Sequence, residues 1–376
     1  MITVLCLLHM RIFTNAALEV EAPSAILIEA STGTVIYEKN ATERMAPASV
    51  TKIMTLLLIF EALEADEISL DDTVVVSEHA ASMGGSQVYL EAFEKQSVDT
   101  LIKCITVSSA NDGAVAMAEF IAGSETAFVE RMNKKALSLG MIDTNFEDCC
   151  GLSDSDLHYT SAKDVAIMSR ELITKYPDIF EYTTIWMEDI IHTTSKGDSV
   201  FTLSSTNKLI KQYPYATGLK TGSTSKAKYC LSATALKDDV SLISVVLGGS
   251  TSADRFQDAV DMLNYGFSTT SIYTDDNEYI LTPIQVKGSV EEEVDISYKE
   301  EFYYVDVENR NLSDIQKEIV LPEILVAPLL QGETVGYAVY TLNGLEIGRT
   351  EIICDTAIER ASFGDYLKKA FHFILY

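Results

Sequence analysis

Ser49-Val50-Thr51-Lys52 places a hydroxyl three residues ahead of an amine. On a helical turn those positions share a face, so amine and alcohol can meet. A serine at a helix N-terminus also sits where free N–H groups and the helix dipole favour a developing oxyanion. Attack by such a serine requires a neutral lysine, hence a pKa depressed by desolvation or by a second cation. Further S-x-x-K matches start at Ser205, Ser223 and Ser225, all in polar Ser/Thr/Lys stretches. Only Ser49 follows a break, Ala46-Pro47-Ala48, and precedes a long apolar stretch, which makes Ser49 and Lys52 the candidate nucleophile and base.

Two more fragments bear on that chemistry. Ser109-Ala110-Asn111 opens a helical stretch, and alone it reads most simply as an N-cap. The pattern has a decoy at Ser205-Thr206-Asn207. Lys220-Thr221-Gly222 occurs once, at the edge of a β-rich segment. A strand glycine marks close approach of another backbone, and a strand lysine beside threonine hydroxyls can hold a carboxylate. Lys220 would also be the second cation that keeps Lys52 deprotonated. Taken singly, K-T-G is an exposed strand lysine. The three fragments together, in this order and in these contexts, outweigh the separate bland readings.

The residues need a frame to converge. Ala25-Ile26-Leu27-Ile28 and Thr34-Val35-Ile36-Tyr37 flank Ser31-Thr32-Gly33, which predicts an opening β-hairpin. Ile53 to Leu63, Ser109 to Gly123, Ala127 to Leu139 and Thr160 to Thr174 have helical composition and spacing. Lys228 to Ala235 and Val240 to Leu247 are β-rich and joined through Lys237-Asp238-Asp239, a second hairpin. Strands from both ends with helices between them predict a helix-covered antiparallel sheet, an α/β (α+β) fold. Beyond Phe267 the helical period disappears. Short β-rich runs, with Asn343-Gly344 as a hairpin turn, predict a small all-β domain over 271–354. Residues 356–376 read as helix again. Phe363, Tyr366, Leu367, Ala370, Phe371, Ile374 and Leu375 share one stripe beside Lys368 and Lys369, the pattern of an amphipathic helix lying in a membrane interface.

Composition narrows the partners. The 376 residues hold 28 Lys and Arg against 56 Asp and Glu, a net charge of −28. Phosphate binding needs a basic footprint, so nucleic acid is excluded. No apolar run reaches the ~18 residues of a membrane-spanning helix. Residues 1–17 read as a secretory signal peptide, with apolar Ile2 to Phe13 and small Thr14-Asn15-Ala16-Ala17 before Glu19, and with His9 and Arg11 late for a basic n-region. Export would place the working protein outside the cytoplasm. Six cysteines are too few for a disulfide scaffold. A bridge between adjacent Cys149 and Cys150 would be strained, so buried free thiols are expected. His79, His158 and His192 stand in no metal-ligand spacing, and no metal or cofactor is expected.

S-x-x-K, S-x-N and K-T-G in this order are the signature of penicillin-recognising serine enzymes. The chain resembles the low-molecular-weight penicillin-binding proteins that act as D-alanyl-D-alanine carboxypeptidases. The resemblance runs through Ile28-Glu29-Ala30-Ser31-Thr32-Gly33, Pro47 to Lys52, Ser109-Ala110-Asn111-Asp112, His158-Tyr159-Thr160-Ser161-Ala162, Gly218 to Thr224 and the trailing β-domain. It implies a transpeptidase-like (β-lactamase-like) catalytic domain over 18–268 that removes the terminal D-alanine of peptidoglycan pentapeptides through a Ser49 acyl-enzyme. It further implies Lys52 as general base, Ser109 passing a proton to the leaving amine, and Asn111 bonding the substrate backbone. Lys220 and Thr221, with Gly222, Ser223 and Thr224 on the same strand, would bind the terminal carboxylate; the N–H groups of Ser49 and Ser223 would form the oxyanion hole. β-Lactams follow as covalent inhibitors, and the outer face of the cytoplasmic membrane as the working place. Cys150 stands where some members have histidine. A β-lactamase is the nearest rival, but it would carry aspartate where Ala110 stands and needs an E-x-x-L-N glutamate that is missing. A non-catalytic wall-binding protein of the same fold is the rival from another class, and the complete set of reactive residues argues against it.

Overall fold

The computed structural model describes residues 18–194, 197–277 and 280–368. The expected signal segment 1–17 and the last residues of the expected C-terminal helix, 369–376, lie outside the described residues. The chain divides into two compact units, Met1–Ser268 and Thr269–Tyr376.

The first unit is built on one antiparallel sheet. Its strands are β1 (Ser24–Glu29), β2 (Val35–Lys39), β3 (Ala216–Thr224), β4 (Lys228–Lys237) and β5 (Val240–Gly249), in the order β2-β1-β5-β4-β3. Both expected hairpins are present: β1 pairs with β2, and β4 with β5 across Asp238 and Asp239, which take positive φ of 48° and 66°. β3 is an edge strand. Helices of ten or more residues in this unit are α1 (Lys52–Glu64), α2 (Val98–Val107), α3 (Asn111–Ala122), α4 (Glu125–Ser138), α5 (Ala162–Lys175) and α6 (Ser252–Thr269).

Strands β1 and β5 are apolar at successive positions because both faces of the sheet are covered. Ile26, Ile28, Ile243, Val245 and Leu247 join the core formed with α1 and α5. On the opposite face lies α6. A Cβ at Gly266 would come within 2.7 Å of Leu242 and 2.9 Å of Leu27, so this glycine permits the close approach.

α1 is buried almost all round, with ten of its thirteen residues inside, among them Ile53, Leu56, Leu57 and Ile59. Each large aliphatic side chain so buried contributes roughly 1.5–3 kcal/mol. That gain offsets the cost of taking Lys52, at the same helix's first position, wholly out of water. The five described cysteines are buried and unbridged.

The second unit is all strand apart from a short 3-10 turn and a helical stretch over 363–368. A four-stranded sheet runs Ile296–Tyr298, Leu345–Cys354, Thr334–Leu342, Gln316–Val320, and its central hairpin turns at Asn343-Gly344, both at positive φ as that dipeptide predicts. A three-stranded and a two-stranded sheet complete it. Tyr340, fully buried, stacks on Phe302 at 3.7 Å between ring centroids.

Candidate active site

Ser49 lies within a 3-10 turn, Ala48–Thr51, and the α-helix begins only at Lys52. The helix thus takes up the expected Ile53 to Leu63 stretch, with Ser49 on the turn that precedes it. The tighter turn improves the juxtaposition, since three residues per turn eclipse positions i and i+3. Lys52 Nζ stands 3.1 Å from Ser49 Oγ, 2.6 Å from Asn111 Oδ1 and 2.8 Å from the Cys150 carbonyl. Asn111 Nδ2 donates to the Gly84 carbonyl at 2.6 Å, which fixes the oxygen end of the amide toward the lysine. Two of the three groups around Nζ are therefore carbonyl oxygens, which only accept. The Ser49 hydroxyl can do either. With the amine neutral, two N–H bonds stay on Asn111 and Cys150, and the lone pair faces the Ser49 O–H. Burial is the largest influence on this amine and holds it below the ordinary lysine pKa.

Lys220 is 1 % exposed, and its Nζ donates to Ser109 Oγ at 2.8 Å and to the Thr221 carbonyl at 3.1 Å. Burial first, then the charges of Lys52 and Arg255, hold it well below the ordinary value. The charge of Lys52 thus bears on Lys220, whereas Lys52 itself is lowered by burial and not, as expected, by Lys220. Ser109 sits at φ 61°, an uncommon conformation for a residue with a side chain.

The serines around these helices divide by task. Ser97, Ser124 and Ser161 cap α2, α4 and α5, each accepting a backbone N–H. The helices that carry the site have no side-chain cap. Ser109 and Asn111, which alone read as a cap, instead meet the two lysines.

β3 runs past the serine with almost no clearance. A Cβ at Gly222 would stand 2.9 Å from the Ser49 nitrogen and 3.0 Å from that of Val50. Arg255, from α6, donates to the carbonyls of Gly222 and Cys230 at 2.9 and 3.1 Å and holds the β3–β4 pair from behind. Thr221 Oγ1 lies 2.6 Å from Thr206 Oγ1. Ser223 is exposed on the same strand, while Thr224 Oγ1 accepts from the Ala227 N–H in the following turn. Ser49, Lys52, Ser109, Asn111, Lys220, Thr221 and Gly222 are thus drawn together, and Thr224 is engaged elsewhere.

Other contributors lie outside the three catalytic motifs. The Cys150 carbonyl is a backbone group. It is placed by Asp148, whose carboxylate accepts from the N–H groups of Cys150, Gly151, Leu152 and Ser153. Gly151, at φ 79°, packs where a Cβ would overlap the Ala48 carbonyl at 1.7 Å. His158 Nδ1 accepts the Glu147 N–H at 3.0 Å, so its Nε2 carries the proton toward Thr51 Oγ1, also at 3.0 Å. Thr206 belongs to the S-x-N decoy, which sits beside the site without supplying its serine.

The comparisons with known proteins agree with this geometry. The family model described as D-alanyl-D-alanine carboxypeptidase matches residues 11–251, and that of the penicillin-binding protein 5 C-terminal domain matches 267–360. The chain is 41% identical to D-alanyl-D-alanine carboxypeptidase DacF of Bacillus subtilis over 352 residues, covering 93% of this chain and 89% of that protein. It is 32% identical to D-alanyl-D-alanine carboxypeptidase DacC of Escherichia coli, covering 94% and 90%. The crystal structure of penicillin binding protein 5 from Haemophilus influenzae superposes with a TM-score of 0.76 at 28% identity, over 91% of this chain and 98% of that one. A serine, two buried lysines and an asparagine converging at the edge of such a sheet fit the likeness, and the chain belongs to the D-alanyl-D-alanine carboxypeptidase family, serine hydrolases of peptidoglycan metabolism.

Proposed function

We propose that Ser49 is the nucleophile of this hydrolase and Lys52 its general base. The neutral amine takes the Ser49 proton, and Oγ attacks the carbonyl carbon of the penultimate D-alanine. Negative charge then develops on the carbonyl oxygen, opposite the N–H groups of Ser49 and Ser223. Ser109 delivers a proton to the departing amine and regains one from protonated Lys52, so the proton taken from Ser49 ends on the released D-alanine and Lys52 is neutral again, with Lys220 donating to the Ser109 oxygen throughout. Asn111 holds Lys52 and bonds the substrate backbone. Lys220 and Thr221 bind the terminal carboxylate, and Gly222 gives the peptide room against the Ser49 backbone. D-Alanine leaves, and water hydrolyses the Ser49 ester to release the shortened stem peptide. A β-lactam carbonyl enters the same attack and leaves a penicilloyl ester on Ser49.

The observation that carries this reading is the hydrogen-bonded run Ser49–Lys52–Asn111 beside the Lys220–Ser109 pair, with both amines desolvated. The domain reading follows: catalysis over 18–268, an all-β domain over 271–354, and export through residues 1–17. The C-terminal segment 356–376 would associate with the outer face of the cytoplasmic membrane. In support, Phe363, Tyr366 and Leu367 are 82%, 51% and 49% exposed on a helical stretch, an apolar stripe left open.

The decisive experiment pairs Ser49→Ala with wild type on a stem pentapeptide and a fluorescent penicillin. Loss of both D-alanine release, read by mass spectrometry, and covalent labelling is expected. Release of D-alanine by the Ser49→Ala protein would remove Ser49 from the reaction.

A further inference from the structure

Next to the loop that feeds its carbonyl to Lys52 lies a cluster the serine chemistry does not use. The thiols of Cys149 and Cys150 are 3.7 Å apart, and both residues are fully buried. Glu125 Oε1 accepts from the Cys149 thiol at 3.3 Å and from its N–H at 3.2 Å. The other oxygen of that carboxylate stands 2.9 Å from His79 Nε2. Ligand atoms of Glu125, Cys149 and Cys150 all lie within 4.8 Å of one another. We propose that Cys149, Cys150 and Glu125 form a binding site for a zinc-class divalent cation, with His79 as the outer partner that orients the carboxylate.

The spacing fits the ion. Zinc–sulfur bonds of about 2.3 Å in a tetrahedron set a sulfur–sulfur edge of about 3.8 Å, and a 2.0–2.2 Å bond to oxygen sets a sulfur–oxygen edge of about 3.5 Å. Two of the three present edges, 3.7 and 3.3 Å, are close to these, and the third lies within 4.8 Å. Two thiolates and a carboxylate select a soft or borderline metal over magnesium or calcium. A carboxylate whose second oxygen is paired to an imidazole has the outer-shell support that metal ligands receive. The turn is also held in advance, since Asp148 gathers four successive N–H groups around it. The His79 side chain is 53% exposed and that of Glu125 18%, so the carboxylate end of the cluster faces solvent.

On binding, one divalent ion would displace the thiol protons of Cys149 and Cys150 to solvent and form two metal–sulfur bonds. No spaced motif marks this cluster, because its members come from positions 125, 149 and 150, with support from 79. Since the Cys150 carbonyl accepts from Lys52, a filled site would pin one wall of the catalytic centre from behind.

The test uses the reduced full chain titrated with Co²⁺ and then with Zn²⁺. One Co²⁺ per chain is expected, with a sulfur-to-cobalt charge-transfer band and the strong visible bands of a tetrahedral ion, all bleached by Zn²⁺. Cys149→Ser should abolish the charge-transfer band at stoichiometric metal. Glu125→Gln and His79→Ala should each weaken Co²⁺ binding about 10–100-fold. Covalent labelling by fluorescent penicillin reports folding in every variant; if Cys149→Ser fails to label, the Glu125→Gln titration decides. The proposal is overturned if the reduced wild type gives no charge-transfer band with excess Co²⁺. It is equally overturned if folded Glu125→Gln binds as tightly as wild type. Neither result depends on which residue attacks the peptide.

Discussion

Lys52, the proposed base, is a side chain of ordinary type in extraordinary surroundings. It is fully buried, with the Cys150 carbonyl, Asn111 and Ser49 as its partners. Its folded-state pKa lies below the unfolded value of about 10.4. Between those two values the unfolded chain binds more protons than the folded one, so the contribution of Lys52 to stability increases as pH rises through that window. The chemistry follows the same sign, because the neutral base gains population over the same rise. Acylation by a penicillin is therefore expected to climb with pH to a plateau whose midpoint falls below about 10.4. The limb should vanish in Lys52→Ala, whose residual rate is slow and flat. A rising limb of unchanged midpoint in the Lys52→Ala protein would assign the titration to another group. The motif residues were legible in the chain itself. The Cys150 carbonyl was not, because a backbone acceptor has no residue type.

At the scale of elements, the proposed chemistry requires an edge strand to approach a 3-10 turn closely. β3 passes the Ser49 backbone with only Gly222 between them, and Arg255 fixes the strand from the far side. Gly222→Ala would place a methyl 2.9 Å from the Ser49 nitrogen, and rigid backbone on both sides must then separate. Overpacking of this kind costs about 1–3 kcal/mol of stability. A displacement near 1 Å between serine and strand costs on the order of 100-fold in rate. The expected result is a penicillin acylation rate down by roughly that factor, with thermal unfolding moved far less than a lost site would require. Wild-type kinetics in the alanine variant would show that the strand can retreat without consequence. The helices and hairpins around the site were readable from periodicity and turn chemistry. The 3-10 turn at Ser49 was not, since its tightness comes from packing against the Gly151 loop, where a Cβ would meet the Ala48 carbonyl.

For the whole molecule, all the side chains proposed for catalysis fall within Met1–Ser268, and the all-β unit contributes none of them. Among the described residues no helix is long and apolar enough to cross a membrane. Surface attachment is proposed for the C-terminal segment, where Phe363, Tyr366 and Leu367 are exposed. Deleting residues 357–376 is expected to leave penicillin labelling intact and to release the protein from sedimenting anionic vesicles. Sedimentation of the truncated protein to the wild-type extent would place attachment elsewhere. The net charge of −28 makes general attraction to such vesicles an implausible substitute.

The order of the fragments around Ser49, Ser109 and Lys220, the alternation of strands and helices, and the all-β character of the C-terminal part were set by the sequence alone, because they depend on residue type and local periodicity. Convergence belonged to the tertiary structure. Only folding brings position 52 against 111 and 150, position 109 against 220, and two neighbouring thiols against a glutamate at 125. Those contacts join residues far apart in the chain through buried space. Desolvation, which a linear sequence does not display, turns them from charged surface groups into reactive ones.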